Sequence, residues 1–281
     1  PQVRRMIQPI RPSETTDFIR CPRLWQYKHI EGWSAPPSAW TPEKLMGSAV
    51  HEGLAHYWYL KRPGYFYAGP PDAPVANVFL RDWPDTAPPE FSLDGHLSLA
   101  LKVLDRVLAW IKVNMADAQP VMVEEPLGEN GHTTPDLVTR EQGDILTVTD
   151  WKYTHVLDSD RVRYRLEGIE RTHQFLHYCW AVGERLEEPI RQFRKVIIVG
   201  NPRIIVRDAT FQPTPIMLEQ WLTSARQMWE DMAEMRAGRR VAYQREAGCF
   251  MYGPKWPCPM YEGCWTCHGN EAMMAQFYTR E

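Results

Sequence analysis

Apolar positions along this 281-residue chain change period twice. Over the first 116 residues they recur at helical spacing. Ser13 or Thr15 caps a first helix that reaches about His29 and ends before Gly32. Thr41-Pro42-Glu43 opens a second helix, a capping Thr followed by Pro at the first helical position, and it runs to Leu60. Residues 63–92 hold seven prolines and little periodicity, so they read as a long irregular insertion of the kind that forms lids. Leu97, Leu101, Leu104 and Leu108 then mark a third helix from about Gly95 to Ala116.

The period then shortens. Residues 120–127, 134–140 and 144–153 are short runs rich in β-branched side chains, which predict three consecutive strands. Arg140-Glu141-Gln142-Gly143 suits a hairpin turn between the last two. A helix from about Arg165 to Leu186 follows, then strands over 193–200 and 203–209 joined at Asn201-Pro202. A last helix spans about Pro215 to Arg236. The final 40 residues are rich in Gly and Cys and have little periodicity. The order predicts an α/β fold, a mixed central sheet flanked by helices. We read it as one domain over 1–281. An N-terminal helical segment occupies 1–46, the core with its Pro-rich insertion 47–210, and a C-terminal helix with the Cys-rich segment 211–281.

Composition narrows the class. Hydrophobic residues are 44% and charged residues 24%, which argues against disorder, collagen and coiled coil. No apolar run approaches the ~20 residues of a membrane span, and the first residues lack the apolar stretch of a signal peptide. The expected setting is the reducing cytoplasm, with no membrane partner. The net charge of −3 speaks at first against nucleic acid. Of six cysteines, four lie in the last 33 residues, which points to metal or iron–sulfur ligation rather than disulfides.

The sharpest chemical feature is Pro135-Asp136 followed by Asp150-Trp151-Lys152. Asp150 and Lys152 are two apart on one strand and share a face, and an adjacent antiparallel strand brings Asp136 near. Two carboxylates and an ammonium are what metal-dependent phosphodiester hydrolysis needs. The carboxylates hold Mg²⁺ or Mn²⁺, and the lysine positions water or offsets phosphate charge. Solvated strand ends carry the same residues by chance. Gly47 and His51 share one face of the second helix, where Gly allows close approach of a neighbour and His51 reaches toward a metal. Gln174 and Tyr178 share a face of a later helix. Each of these pairs alone also reads as ordinary packing.

In this order, Gly47-x-x-x-His51, Pro135-Asp136, Asp150-Trp151-Lys152 and Gln174-x-x-x-Tyr178 resemble the PD-(D/E)XK nuclease superfamily, within it the RecB-like branch of exonuclease V and CRISPR adaptation nucleases. The resemblance implies a restriction-endonuclease-like fold. It implies that His51, Asp136, Asp150 and the carbonyl of Trp151 bind the metal, that Lys152 is catalytic, and that Gln174 and Tyr178 lie beside the site. Glu125 is a further candidate for a second metal or a water; Glu124 is expected on the other face, and pattern alone leaves the two open. The same branch, including phage-encoded members, often carries a [4Fe–4S] cluster on one upstream and three downstream cysteines. Here these are Cys21, Cys249, Cys258 and Cys264, with Cys267 able to replace Cys249 or Cys264. Four thiolates also bind Zn²⁺, which stays open. Such a cluster would staple residue 21 to the C-terminal segment. Cys179, amid Phe175 and Trp180, reads as packing.

The implied activity is a Mg²⁺- or Mn²⁺-dependent DNA exonuclease acting on single-stranded ends, with protein partners in recombination, replication or CRISPR adaptation. Two rivals stand beside it: a non-cleaving binding module of the same fold, and a zinc-stabilised interaction module. Charge is uneven enough to admit DNA. Residues 161–207 hold ten Arg or Lys against five Glu, Arg236, Arg239, Arg240 and Arg245 form a further run, and 72–94 are acidic. Trp25, Tyr27 and Trp151 are candidates to stack on unpaired bases.

Overall fold

Proline sets where the first helices begin. Helices α1 (Pro12–Arg20) and α2 (Pro22–His29) each start at a Pro, and Cys21 between them is extended at φ −163° and ψ 115°. The single helix expected here is therefore two. Pro22 has no N–H to continue α1 and forces the residue before it out of the helical region. The structure, a computed structural model, describes residues 10–34, 42–64, 72–85, 87, 91–128, 133–156, 162–163, 166–167, 173–201, 203–243, 258–260, 264, 267 and 270–280. The chain divides into two units, one formed by residues 40–218 and the other by 1–39 with 219–281.

In the unit 40–218, α3 (Pro42–Leu60) and α5 (Leu93–Asn114) form where the apolar spacing places them. The side chain of Ser92 caps α5, accepting from the Gly95 N–H at 3.1 Å. The Pro-rich insertion is not wholly irregular. It contains α4 (Ala73–Asp82), which buries Val75, Val78 and Phe79 at i, i+3 and i+4. Gly53 lets these three helices close up: a Cβ there would lie 2.8 Å from Leu104 Cδ2 and 2.9 Å from Val75 Cγ2.

The sheet follows in the order β2-β3-β4-β5-β6, with β2 (Gln119–Val123), β3 (Leu137–Glu141), β4 (Ile145–Val156), β5 (Gln192–Asn201) and β6 (Ile205–Phe211). All neighbours are antiparallel except β4 and β5, whose parallel pairing is connected through α6 (His173–Leu186). Met46, Val50, Leu54 and Trp58 of α3 and Val103, Val107 and Ile111 of α5 pack with Val123, Leu137, Trp151, Val196 and Ile198 of the sheet. Trp151 meets Trp110 of α5 edge to face at 6.3 Å. Strand alternation then turns Asp150 and Lys152 away from this layer.

Arg194 departs from the expected basic surface. Its side chain is 8% exposed and forked onto Glu141 at 2.6 and 2.9 Å, with Asp208 3.8 Å away. It holds β3, β5 and β6 together and is not a DNA contact.

The second unit joins the two ends of the chain. Strand β1 (Trp33–Ser34) pairs with β7 (Thr279–Arg280), and the Ser34 and Thr279 hydroxyls meet at 2.8 Å. Cys21, Leu24, Tyr27 and Trp33 are buried with Cys258, Met260, Cys267, Met274 of α8 (Glu271–Met274) and Tyr278, and half-buried Cys264 packs against them. The last residues thus own a small apolar core despite their lack of periodicity. Helix α7 (Pro215–Arg236) spans the boundary between the units. Arg236, Arg239 and Arg240 pair with Glu14, Glu234 and Asp231, so this run is internally neutralised. Trp25 is fully buried, against Phe18 and under the Arg236 guanidinium, and Tyr27 and Trp151 are 1% and 2% exposed. None of the three stands open to stack on a base. Cys249, Arg161, Arg165, Arg171 and Arg245 lie outside the described residues. No described helix is long and apolar enough to cross a membrane.

Candidate active site

Register builds the site. Leu137 at the start of β3 pairs with Thr149 of β4, which sets Asp136 opposite Asp150. The Trp151 N–H donates to Asp136 Oδ2 at 2.7 Å and fixes that carboxylate on the strand edge. Lys152 Nζ donates to Asp150 Oδ1, also at 2.7 Å. From α3, His51 Nδ1 lies 3.9 Å from Asp136 Oδ2. From α6, Gln174 Nε2 donates to the Tyr178 hydroxyl at 2.9 Å. Burial, then the Asp150 charge, pushes the Tyr178 hydroxyl up to about 12. The structure therefore brings His51, Asp136, Asp150, Lys152 and Tyr178 together. The Trp151 side chain is core, and only its backbone faces the site.

Electrostatics show what the cluster lacks. Burial, then the neighbouring Asp150 charge, raises the Asp136 carboxyl from 3.8 to about 6. Burial by itself disfavours the Lys152 ammonium, but Asp150 and Asp136 outweigh it and hold the proton on more tightly. One lysine offsets a crowd of carboxylates only in part.

Glu124 belongs to that crowd, and Glu125 does not. Alternation along β2 points Glu125 at the site, yet β2 ends at Val123 and Glu124 takes a left-handed φ of 44°. This turn reverses the alternation. Glu124 Oε1 comes 3.9 Å from His51 Nδ1, whereas Glu125 pairs with Arg62 at 2.5 Å. Burial, then Asp136 and Glu52, lift the Glu124 carboxyl from 4.5 to about 7. A short polar strand end carries no sequence signal for this reversal.

A cleft of about 810 Å³ is lined by His51, Glu124 and Lys152 and extends past Tyr153 to His155, with Asp136 and Asp150 outside its lining. Gly47 also lines it. A Cβ there would meet Tyr153 at 3.8 Å, an ordinary contact, so on α3 close packing requires glycine at Gly53 and not at Gly47.

Family membership is decided by the whole chain. The model of the PD-(D/E)XK nuclease superfamily matches residues 10–264. The chain belongs to this superfamily. Among solved structures, a protein of Eubacterium rectale named "Putative exonuclease" superposes with a TM-score of 0.52 at 13% identity, covering 94% of this chain and 89% of that one. SSO0001 reaches a TM-score of 0.24 at 11% identity over 66% of this chain and 73% of that one, too low to carry an argument. No curated protein matches the sequence. The mixed five-stranded sheet flanked by helices agrees with a restriction-endonuclease-like fold.

The superfamily typically uses Mg²⁺ or Mn²⁺. The donor set here, three carboxylates and one imidazole around a partly uncompensated negative charge, has the oxygen-rich chemistry that hard cations select. Among the described residues, no three or more His, Cys, Asp or Glu side chains are drawn together into a closed metal site. Lys152 and the Trp151 N–H take up the carboxylate oxygens instead. Cys179 is 1% exposed, and burial holds its thiol well above the usual range, as befits a packing residue.

Proposed function

We propose that this nuclease is a Mg²⁺- or Mn²⁺-dependent DNA exonuclease of the RecB-like branch, acting through the whole chain on single-stranded ends. One observation carries the reading: Asp136 and Asp150 face each other across β3 and β4, with the Lys152 ammonium bonded to Asp150. Asp136, Asp150, His51 and the Trp151 carbonyl would hold the cation, with Glu124 as a further donor. Such a cation would lower the pKa of a water and offset charge on the phosphate. Lys152 keeps its proton and aims it at the scissile phosphate or the attacking water. Gln174 and Tyr178, joined to each other, offer hydroxyl and amide groups to the neighbouring phosphate. The preference for ends rests on the sequence resemblance, and the name of the E. rectale protein points the same way.

A [4Fe–4S] cluster belongs to the same proposal and rests on the sequence resemblance. Co-packing of Cys21, Cys258, Cys264 and Cys267 in one apolar patch favours including Cys267 among its ligands, with Zn²⁺ the rival occupant.

The test compares linear single strands carrying open or blocked ends, and covalent circles, all with Mn²⁺. Mononucleotide or short products from open ends only are expected. Cleavage of circles at the same rate contradicts end dependence, and no cleavage of any DNA contradicts the enzyme assignment.

A further inference from the structure

Helix α3 carries more of the site than His51. Steps of four keep His51, Ala55 and Tyr59 on one side of it, and Arg62 follows in the turn just past its end at Leu60. The Tyr59 hydroxyl donates to the Val123 carbonyl at 2.6 Å, on the last residue of β2. Arg62 Nη1 pairs with Glu125 Oε1 at 2.5 Å. Between these two anchored residues sits Glu124, at φ 44°. Its own N–H donates to the Asp136 carbonyl at 3.2 Å.

Left-handed backbone is unfavourable for a residue with a Cβ, and it persists where its surroundings over-determine it. Here one flanking residue is tied to α3 and the other to the turn that follows it, and the central N–H to the residue that faces Asp150. The consequence is chemical. The Glu124 carboxylate swings into the cleft, 3.9 Å from His51, instead of continuing the strand's alternation.

We propose that Tyr59 and Arg62 are positioning residues that act through Glu124, holding its carboxylate as a further oxygen donor for the site's cation. The inference rests on the nuclease reading above. Neither residue touches the reacting groups; each sets the backbone on one side of the donor.

The test is a double-mutant cycle on the full chain, read by Mn²⁺ calorimetry and by steady-state cleavage. Tyr59→Phe removes one hydroxyl. It should weaken Mn²⁺ binding roughly 10-fold and lower kcat, with KM for DNA close to wild type. Glu124→Gln should weaken binding at least as much, and the double variant should match Glu124→Gln alone. Glu124→Gly suits the left-handed backbone, so it should lose the same affinity with an unchanged or higher Tm. Arg62→Gln repeats the cycle if Tyr59→Phe folds poorly.

Additive losses in the double variant, or wild-type Mn²⁺ affinity in Tyr59→Phe, overturn the inference and leave the nuclease reading standing. A lower Tm in Glu124→Gly also overturns it, because Glu124 would then be structural. A wild-type protein that neither binds Mn²⁺ nor cuts DNA overturns both.

Discussion

Replacing Asp136 with Asn should stabilise the metal-free protein while ending catalysis. The Asp136 side chain is 15% exposed, and burial plus the Asp150 charge lift its carboxyl from 3.8 to about 6. Below about pH 4 both folded and unfolded chains hold this proton, so folding carries no penalty. As pH rises from about 4 through about 6, the unfolded chain ionises freely and the folded one resists, so stability is lost. The rise is about two pH units at ~1.4 kcal/mol each, a ceiling of about 3 kcal/mol above pH 7. Asn removes the charge and its amide oxygen still accepts from the Trp151 N–H. A gain of ~1–3 kcal/mol corresponds to roughly 2–10 °C in Tm for a unit the size of residues 40–218. Thermal unfolding followed by circular dichroism in EDTA, at pH 8 and pH 5, reads it. The gain should appear at pH 8 and fall to about half at pH 5. A variant less stable at pH 8, or stabilised equally at both, refutes the crowded-carboxylate argument.

Other consequences are as direct. Glu141→Gln leaves the buried Arg194 guanidinium without its forked partner and should cost ~3–5 kcal/mol in chemical denaturation; a loss below ~1 kcal/mol contradicts its role as a strand tie. Gly53→Ala forces a Cβ against Leu104 and Val75 and should destabilise by ~1–3 kcal/mol. Gly47→Ala meets only an ordinary contact with Tyr153, and equal destabilisation by the two changes would undo this distinction, again read by denaturation. Protein purified without oxygen should contain iron and sulfide and be coloured, and Cys267→Ser should lose both; stoichiometric zinc with no visible colour would contradict the cluster.

Much of this was legible in the chain. The alternation around Asp136 and Asp150, and the hairpin at 140–143, predicted the strand pair that makes them face each other. The spacing of His51 and of Gln174 with Tyr178 predicted shared helix faces. The errors have physical causes. Pro22 was absorbed into a continuous apolar period although it cannot donate to α1. Helix α4 was hidden because the prolines of 63–92 outweighed three buried side chains. The choice between Glu124 and Glu125 stays open in the pattern because alternation ends with β2, at a left-handed residue. Trp25 and Tyr27 read as open aromatics because the core of their unit is assembled from the two distant ends of the chain, which no local period reports. The basic run at 236–240 looked like a DNA surface because its carboxylate partners include Glu14, over two hundred residues away.

As proposed, Asp136, Asp150 and Lys152 form a cutting centre and not a remnant of one. Single-turnover cleavage of end-labelled single-stranded DNA with Mn²⁺, comparing wild type with Asp150→Asn, tests it most directly. Wild-type protein should shorten the strand, and Asp150→Asn should slow that by roughly 10²–10³-fold or more while still binding the DNA. Equal cleavage by the two proteins would contradict the account.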